Sequence, residues 1–264
     1  MSERNGLVPA QELVERGLRA AALGSPQGKH AGAVVIVDDG SSAEMRFAVN
    51  TTTTNGLRRS RSVTVAVMEG RDDGVAVGVA SSSGTGEIED LVAAALADAA
   101  TAEAAEDASD LLDPYGDDDD FTAGPPETGL SSLGHIVGGL GDAFSRARAE
   151  GRVLAGFAEH HLATTYLGTS TGMRRRFVQP TGKLEVVARS VDGTRSAWVG
   201  AGSPTLADVD LAEIDERLRT RLSWAERRVD LPAGRYEALL PPDAVADLMA
   251  DMAWAMGGRD AEDG

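Results

Sequence analysis

Over residues 11–23 the apolar positions Leu13, Val14, Leu18, Ala21 and Ala22 recur at helical spacing, which predicts an amphipathic helix. The period then shortens. "AGAVVIVDD" reads as a strand bounded by Gly32 and by an Asp-Asp-Gly turn at 38–40. "AEMRFAVN" and "RSVTVAVMEG" alternate in the manner of half-buried strands, and "TTTTNGLRR" joins them. Within that joint Asn55-Gly56 predicts a hairpin, because both residues tolerate positive φ. "DDGVAVGVASSS" supplies a fourth strand. Ile88, Leu91, Val92, Ala95, Leu96 and Ala99 then share a helical face. Thr85 or Ser83 is the expected N-cap, and Glu87 and Glu89 favour the positive helix start. Helix, four strands and helix make an α+β domain over residues 1–108.

Residues 109–130 combine an acidic run with prolines and glycines and read as a linker or exposed loop. The four aspartates at 117–120 lack the alternating ligands and glutamate spacing of an EF-hand loop, so they read as solvated. A middle α+β domain is expected over 131–230. It starts with a helix around 133–150 and continues with strands in "RVLAGFAEHHLATTYLG", "MRRRFVQ", "KLEVVARSV" and "TRSAWVGA". The first two strands are joined by Thr-Ser-Thr-Gly at 169–172, and a helix near 207–228 carries Leu211, Ile214, Leu218 and Leu222. Residues 231–264 hold one more strand, "GRYEALLP", and a last helix that Pro242 opens and Val245, Leu248, Met249, Met252 and Met256 stripe. The expected fold class is α+β: two α/β-sandwich-like segments with largely antiparallel sheets, followed by the start of a truncated C-terminal domain. The halves rhyme, since "NTTTTNGLRRSRSVTVAV" and "ATTYLGTSTGMRRRFVQPTGKLEVVA" share a Thr-rich strand, a glycine turn and an arginine pair. Divergent duplication and shared hairpin chemistry both account for this.

Composition narrows the function classes. Hydrophobic residues make up 42% of the chain, which places it among globular proteins. No apolar run approaches the roughly 20 residues that span a bilayer, and the N-terminus lacks the basic-then-apolar order of a signal peptide. A cytoplasmic location is expected. There is no cysteine, so disulfide and thiolate chemistry are excluded. A formal charge of −17 repels nucleic-acid phosphates and argues against a general DNA-binding role.

Glu159, His160 and His161 set a carboxylate beside two of the chain's four histidines. On a strand, neighbouring side chains point to opposite faces, so the two imidazoles do not converge on one ion. Glu159 and His161 share a face, where a structural pair and an acid–base pair both stay open. His30 and His135 sit in loop-like contexts with no ligand spacing. No catalytic residue and no metal site is visible. "GTGEIED" (84–90) opens a helix whose amides could hold an anion, but it lacks the P-loop order; "GGLGDAF" (138–144) follows no strand. Thr-rich strands beside arginines suit main-chain contact with an extended peptide or an anionic group. Thr165, Arg174 and Arg175 are therefore the substrate-binding candidates, with solvent-facing strand residues as the alternative reading.

Three stretches in order, "VNTTTTNGLRRSRSVTVAVMEGRDDGVAVGVASS", "HHLATTYLGTSTGMRRRFVQPTGKLEVVARS" and "LPAGRYEALLPPDAVADLMADMAWAMGG", resemble the TldD/TldE (PmbA) family, once described as modulators of DNA gyrase. The resemblance implies a heterodimeric zinc metallopeptidase that admits small unfolded peptides to an enclosed chamber, while the Ala, Gly, Asp and Arg bias reads as codon pressure from a GC-rich bacterial genome. In that family the zinc-bearing, TldD-like subunit carries His-Glu-x-x-x-His on a helix, two imidazoles for zinc and a glutamate to activate water. The corresponding helix here, "DAVADLMADMAWAMGG", contains no histidine, and Asp247 and Asp251 are its ionisable candidates. This departure points to the TldE-like partner: no cofactor in this chain, zinc in the partner subunit, and proteolysis of small peptides by the pair. The family's long C-terminal domain would develop where the chain stops at "GGRDAEDG", so a truncated chain is expected. Its methionine stripe is then either a core face awaiting that domain or an exposed surface. A stand-alone peptide- or protein-binding regulatory module is the alternative function, and an enzyme using Glu159 and His161 is a third.

Overall fold

The strands run longer than their turn signals predict. The structure, a computed structural model, describes residues 7–25, 30–84, 86–116, 120–227 and 229–258. Among these residues are five α-helices and one six-stranded antiparallel sheet, so the α+β class holds. The chain forms two units, Met1–Glu226 and Arg227–Gly264.

The first unit repeats one element order. α1 (Ala10–Gly24), β1 (His30–Ala48), β2 (Thr51–Arg71), β3 (Gly74–Ser83) and α2 (Ile88–Thr101) are followed by α3 (Gly134–Ala149), β4 (Arg152–Thr169), β5 (Arg174–Ser190), β6 (Ser196–Ser203) and α4 (Leu211–Trp224). Each half is a helix, a three-stranded meander and a helix. The halves join through β1 and β4, which pair antiparallel from Val34↔Thr169 to Phe47↔Gly156 and give the order β3-β2-β1-β4-β5-β6.

Both hydrophobic cores use one face of this sheet. Ala33, Val35 and Val37 of β1 and Tyr166 of β4 pack with α1 and α2. Farther along the same face, Ala43, Met45 and Phe47 of β1 and Leu154 and Ala158 of β4 pack with α3 and α4. Odd residues of β1 and even residues of β4 point inward, as period-two alternation requires. Gly78 of β3 sits so close to α2 that a Cβ there would lie 2.0 Å from the Ala95 carbonyl oxygen, which is why the position carries no side chain.

Four sequence expectations change. First, Asp-Asp-Gly at 38–40 is not a turn; it lies inside β1, which runs unbroken for 19 residues. The two strands read on either side of it are one, so the first half has three strands. Second, Asn55-Gly56 is not a hairpin. Both residues lie within β2, opposite Met45 and Glu44. The turn is made by Val49 and Asn50, with φ of 52° and 56°, the paired positive values that match strand twist. Asn50 wins because its amide is also needed: Nδ2 donates to the Arg152 carbonyl at 2.8 Å and Oδ1 accepts from Leu154 N at 2.7 Å. Third, "MRRRFVQ" and "KLEVVARSV" form the single strand β5. Pro180 is tolerated there because β6 pairs only with residues 182–189, leaving Pro180 on an open edge. Fourth, "GRYEALLP" forms no strand.

Smaller corrections concern caps and histidines. α2 begins after Glu87 with no side-chain cap, Ser83 ends β3, and Thr85 lies outside the described residues. Glu87 and Glu89 do stand at the start of α2, and both also meet Arg16 of α1, at 3.3 and 2.7 Å. His30 opens β1, and His135 lies in α3, bonded to the Val209 carbonyl at 2.9 Å. No helix among the described residues is long and apolar enough to cross a membrane. The second unit holds α5 (Pro242–Ala255), with Pro242 at its first turn and no buried residue; Met249, Met252 and Met256 are all exposed.

A buried ion network ties the start of β4 to its helices. Arg152 Nη1 and Arg146 Nε each donate to Asp215 at 2.8 Å. Burial opposes ionisation of Asp215, but these two bonds outweigh it and hold the carboxyl below its ordinary range. Its contribution to stability is therefore complete above the ordinary carboxylate pKa and disappears as pH falls through the lowered folded value. Asp215→Ala should cost about 3 kcal/mol at neutral pH, since it removes the acceptor that Arg146 and Arg152 share and leaves the buried Arg152 with Glu150 as its remaining ion-pair partner among the described residues. In thermal melts the gap between wild type and variant should narrow as pH drops below about 4; a gap constant with pH would refute this account.

Candidate functional site

The middle of the sheet is polar on both faces. It lies between the two cores, where Asp38, Asp39, Gly40, Ser41 and Ser42 of β1 run beside residues 161–165 of β4. On the helix-covered face Asp39 is buried and accepts two bonds from Arg61 of β2, at 2.6 and 2.8 Å. The third arm of Arg61 donates to the Val8 carbonyl at 2.6 Å, pinning the approach to α1. A bidentate pair of this kind gives both carboxylate oxygens a donor inside the sheet.

Next to it, the segment before α3 closes over the sheet. Thr128 N donates to Ser41 Oγ at 3.1 Å, and the Thr128 hydroxyl donates to Ser132 Oγ at 3.0 Å. That assignment leaves His160 Nδ1 as the donor to Thr128 Oγ1, at 2.6 Å. The Thr164 hydroxyl is buried and lacks a hydrogen-bond partner among the described residues.

A cleft of about 490 Å³ opens beside this network. Leu7, Pro125 and Pro126 give it apolar walls, Ser60, Ser83 and Gly84 line its strand side, and the Asp39–Arg61 pair lies within it. The exposed Arg59, also lining it, pairs with Glu127 at 2.6 Å.

Among the described residues of this unit no helix packs on the other face of the sheet. There Thr165 donates its hydroxyl to Asp38, and Glu159 and His161 stand opposite Glu44 and Ser42. His160 and His161 thus point to opposite faces. No ion pair joins Glu159 and His161 among the described residues. The His161 ring lies against Gly40, where a methyl would approach it within 3.2 Å.

The arginine run divides between the faces. Arg174, on the covered face, donates to Glu15 of α1 at 2.6 and 3.0 Å and holds that carboxyl below its ordinary range. Arg176, also covered, reaches Asp120 at 2.5 Å and the Gly124 carbonyl at 3.0 Å, and stacks over Tyr166. Arg175 turns the other way, with its guanidinium 5.0 Å from the Tyr115 ring centre. Of the three substrate-binding candidates, Thr165 and Arg175 share a face and Arg174 lies on the other. Three of the four aspartates at 117–120 lie outside the described residues; Phe121 and Thr128, in the same acidic stretch, are buried.

Sequence reading missed Asp39, Arg61, Thr128 and the cleft. The available signal was a polar interruption, Asp-Asp-Gly-Ser-Ser, inside an otherwise regular alternation. Among the described residues no group of three or more His, Asp and Glu side chains could hold a metal ion. Asp247 and Asp251 lie exposed on α5, a helix that contains no histidine.

No family profile matches this sequence, and no curated protein does. Solved structures do share the fold. TldE from Thermococcus kodakarensis superposes with a TM-score of 0.58 at 15% identity, over 82% of this chain and 48% of its own. Proteins from Thermotoga maritima and Bacteroides thetaiotaomicron, each proposed as a modulator of DNA gyrase, give TM-scores of 0.58 and 0.56 at 13% and 12% identity. Both matches cover 81% of this chain, and 47% and 49% of the other. At these identities the likeness is one of fold, and the chain spans about half the length of the structures it matches.

Replacing Arg61 should expose the sheet's dependence on its central pair. Arg61→Met removes the two charge-assisted bonds to the buried Asp39 carboxylate and should cost about 3–5 kcal/mol in urea unfolding. Adding Asp39→Asn should recover part of that loss. A cost below about 1 kcal/mol would mean the pair does not stabilise the centre of the sheet.

Proposed function

We propose that this chain is a non-catalytic, TldE-like subunit of a TldD/TldE-type zinc metallopeptidase complex that processes small unfolded peptides. The observation that carries the reading is the fold shared with TldE from Thermococcus kodakarensis over 82% of the chain. The sequence resemblance to the same family supports it, as does α5, where Asp247 and Asp251 stand without a histidine. In this reading zinc and the activated water belong to a partner carrying His-Glu-x-x-x-His, and the pair works in the cytoplasm. This chain contributes shape: strands whose free faces and edges hold an extended substrate, with Thr165 and Arg175 on the helix-free face and Arg174 bracing α1 from the other side.

The test combines a pull-down with metal analysis and a turnover assay. The chain should co-purify with a His-Glu-x-x-x-His homologue, bring no zinc of its own, and yield peptide cleavage only in the mixture. His161→Ala should leave that turnover within about twofold, because a group outside the reacting centre contributes little to the barrier. Zinc-dependent cleavage by the isolated chain, freed of contaminating peptidase, would overturn the assignment.

A further inference from the structure

The cleft of about 490 Å³ has no part in the function proposed above. Its size falls within the range of small-molecule sites, about 300–1,000 Å³. Several distant stretches of the chain build it. Leu7 precedes α1, residues 39–41 belong to β1 and 59–61 to β2, Ser83 and Gly84 close β3, and residues 125–127 lie ahead of α3. Hydrogen bonds hold these pieces in place. Arg61 Nη1 reaches the Val8 carbonyl beside Leu7, and Gly84 N donates to the Arg61 carbonyl at 2.9 Å. Thr128 N, next to Glu127, donates to Ser41 Oγ. The walls are therefore set before a ligand arrives, which lowers the cost of binding one.

The lining decides what fits. Odd-numbered residues of β2 face the helix-covered side, as the burial of Val63, Val65 and Val67 shows, so Arg59 and Arg61 extend to that side. Ser60 points the other way, its hydroxyl crowding the place that a Cβ on Gly40 would take. Leu7, Pro125 and Pro126 supply apolar surface. Guanidinium groups stack on aromatic faces, and a saturated group gains nothing comparable from them. The same pairing recurs in this chain, where Arg175 lies over Tyr115 and Arg176 over Tyr166. Charge in the cleft is balanced, with Arg61 bonded to Asp39 and Arg59 to Glu127. A charged ligand would have to break one of these pairs. The formal charge of −17 further repels anions from the chain as a whole.

From the volume, the walls and the paired charges we infer that the cleft binds an uncharged, planar aromatic molecule of one or two rings. The ring lies among Leu7, Pro125 and Pro126, with the arginines of β2 against its face. A saturated apolar molecule of the same size is the competing occupant; it meets the same walls and forgoes the arginine contact. A ligand bound here bridges the approach to α1, the meander of β2 and β3, and the segment before α3. It therefore stabilises the folded chain as its concentration rises. The inference needs no partner subunit and no peptide, so it stands or falls apart from the function proposed above.

The test uses the full 264-residue chain and isothermal titration calorimetry at neutral pH. The probe is 2-naphthol, with its saturated counterpart 2-decalol and its anionic counterpart 2-naphthoate. Saturable binding of 2-naphthol with a Kd below about 1 mM is expected. 2-Decalol should bind at least about fivefold more weakly, since it lacks the aromatic face. 2-Naphthoate should bind at least about tenfold more weakly, because no unpaired cation meets it. Leu7→Asp sets a charge in the apolar wall and should weaken 2-naphthol at least about tenfold. Leu7 is 38% exposed, so the thermal midpoint of that variant should hardly move. Replacing Pro125 and Pro126 together with serine should weaken the probe in the same way. The inference fails if 2-naphthol shows no saturable binding, or if 2-decalol or 2-naphthoate binds as tightly. It also fails if both variants keep the affinity within about twofold, since the ring then sits elsewhere, for example on the exposed stripe of α5. The comparison of the three ligands reads out on the unaltered chain, so it decides the matter even if a variant does not fold.

Discussion

Everything in the first unit hangs on the ladder between β1 and β4. Each strand is long enough, at 19 and 18 residues, to run beneath both helical covers. At about 3.3 Å per residue that is roughly 60 Å of strand. No pair of helices covers such a length, so the strands must cross a seam where apolar side chains would find nothing to pack on. Asp39, Ser41, His160 and Thr164 occupy that seam, and Arg61 and Thr128 supply partners to the first three. Were these groups unpaired, their desolvation would favour two separate three-stranded sheets over one of six.

Helices and the sense of each strand were legible because they depend on local period. The five helices fall where apolar spacing places them, and Leu13, Val14 and Leu18, or Leu211, Ile214 and Leu218, are buried as that spacing requires. Strand ends were not legible. Asp38-Asp39-Gly40 and Asn55-Gly56 have turn chemistry, yet both lie in strands because partners far along the chain outbid the local preference. Arg61 holds Asp39 from 22 residues away, and Asn50, whose side chain pairs with β4 from 102 and 104 residues away, claims the turn instead. The candidate site suffered in the same way. His160 and His161 were correctly separated by alternation, but the burial of His160 against Thr128 and the cleft beside it come from a loop whose path no local pattern encodes.

The three consecutive arginines show why residue type alone is a weak guide to a binding role. Arg174 braces α1, Arg175 stacks on Tyr115, and Arg176 holds the acidic loop at Asp120. One short run therefore fastens a helix and two parts of a loop to a single strand. Such fastening ties α1 and the loop before α3 to the same strand of the sheet.

The distance between β1 and β4 along the chain has a consequence during biosynthesis. Residues that pair at the centre, such as Asp39 and Thr164, are made more than a hundred codons apart. At typical elongation rates the inner edge of β1 emerges on the order of ten seconds before β4 exists to cover it. A fully apolar strand of that length would be a template for aggregation over the interval. The adjacent acidic residues at its midpoint interrupt any such stacking, and Arg61, from the same nascent hairpin, neutralises one of them as soon as β2 folds back. The aspartate that fastens the finished sheet thus also belongs to the polar break, with Asp38, in the apolar run of the unfinished one.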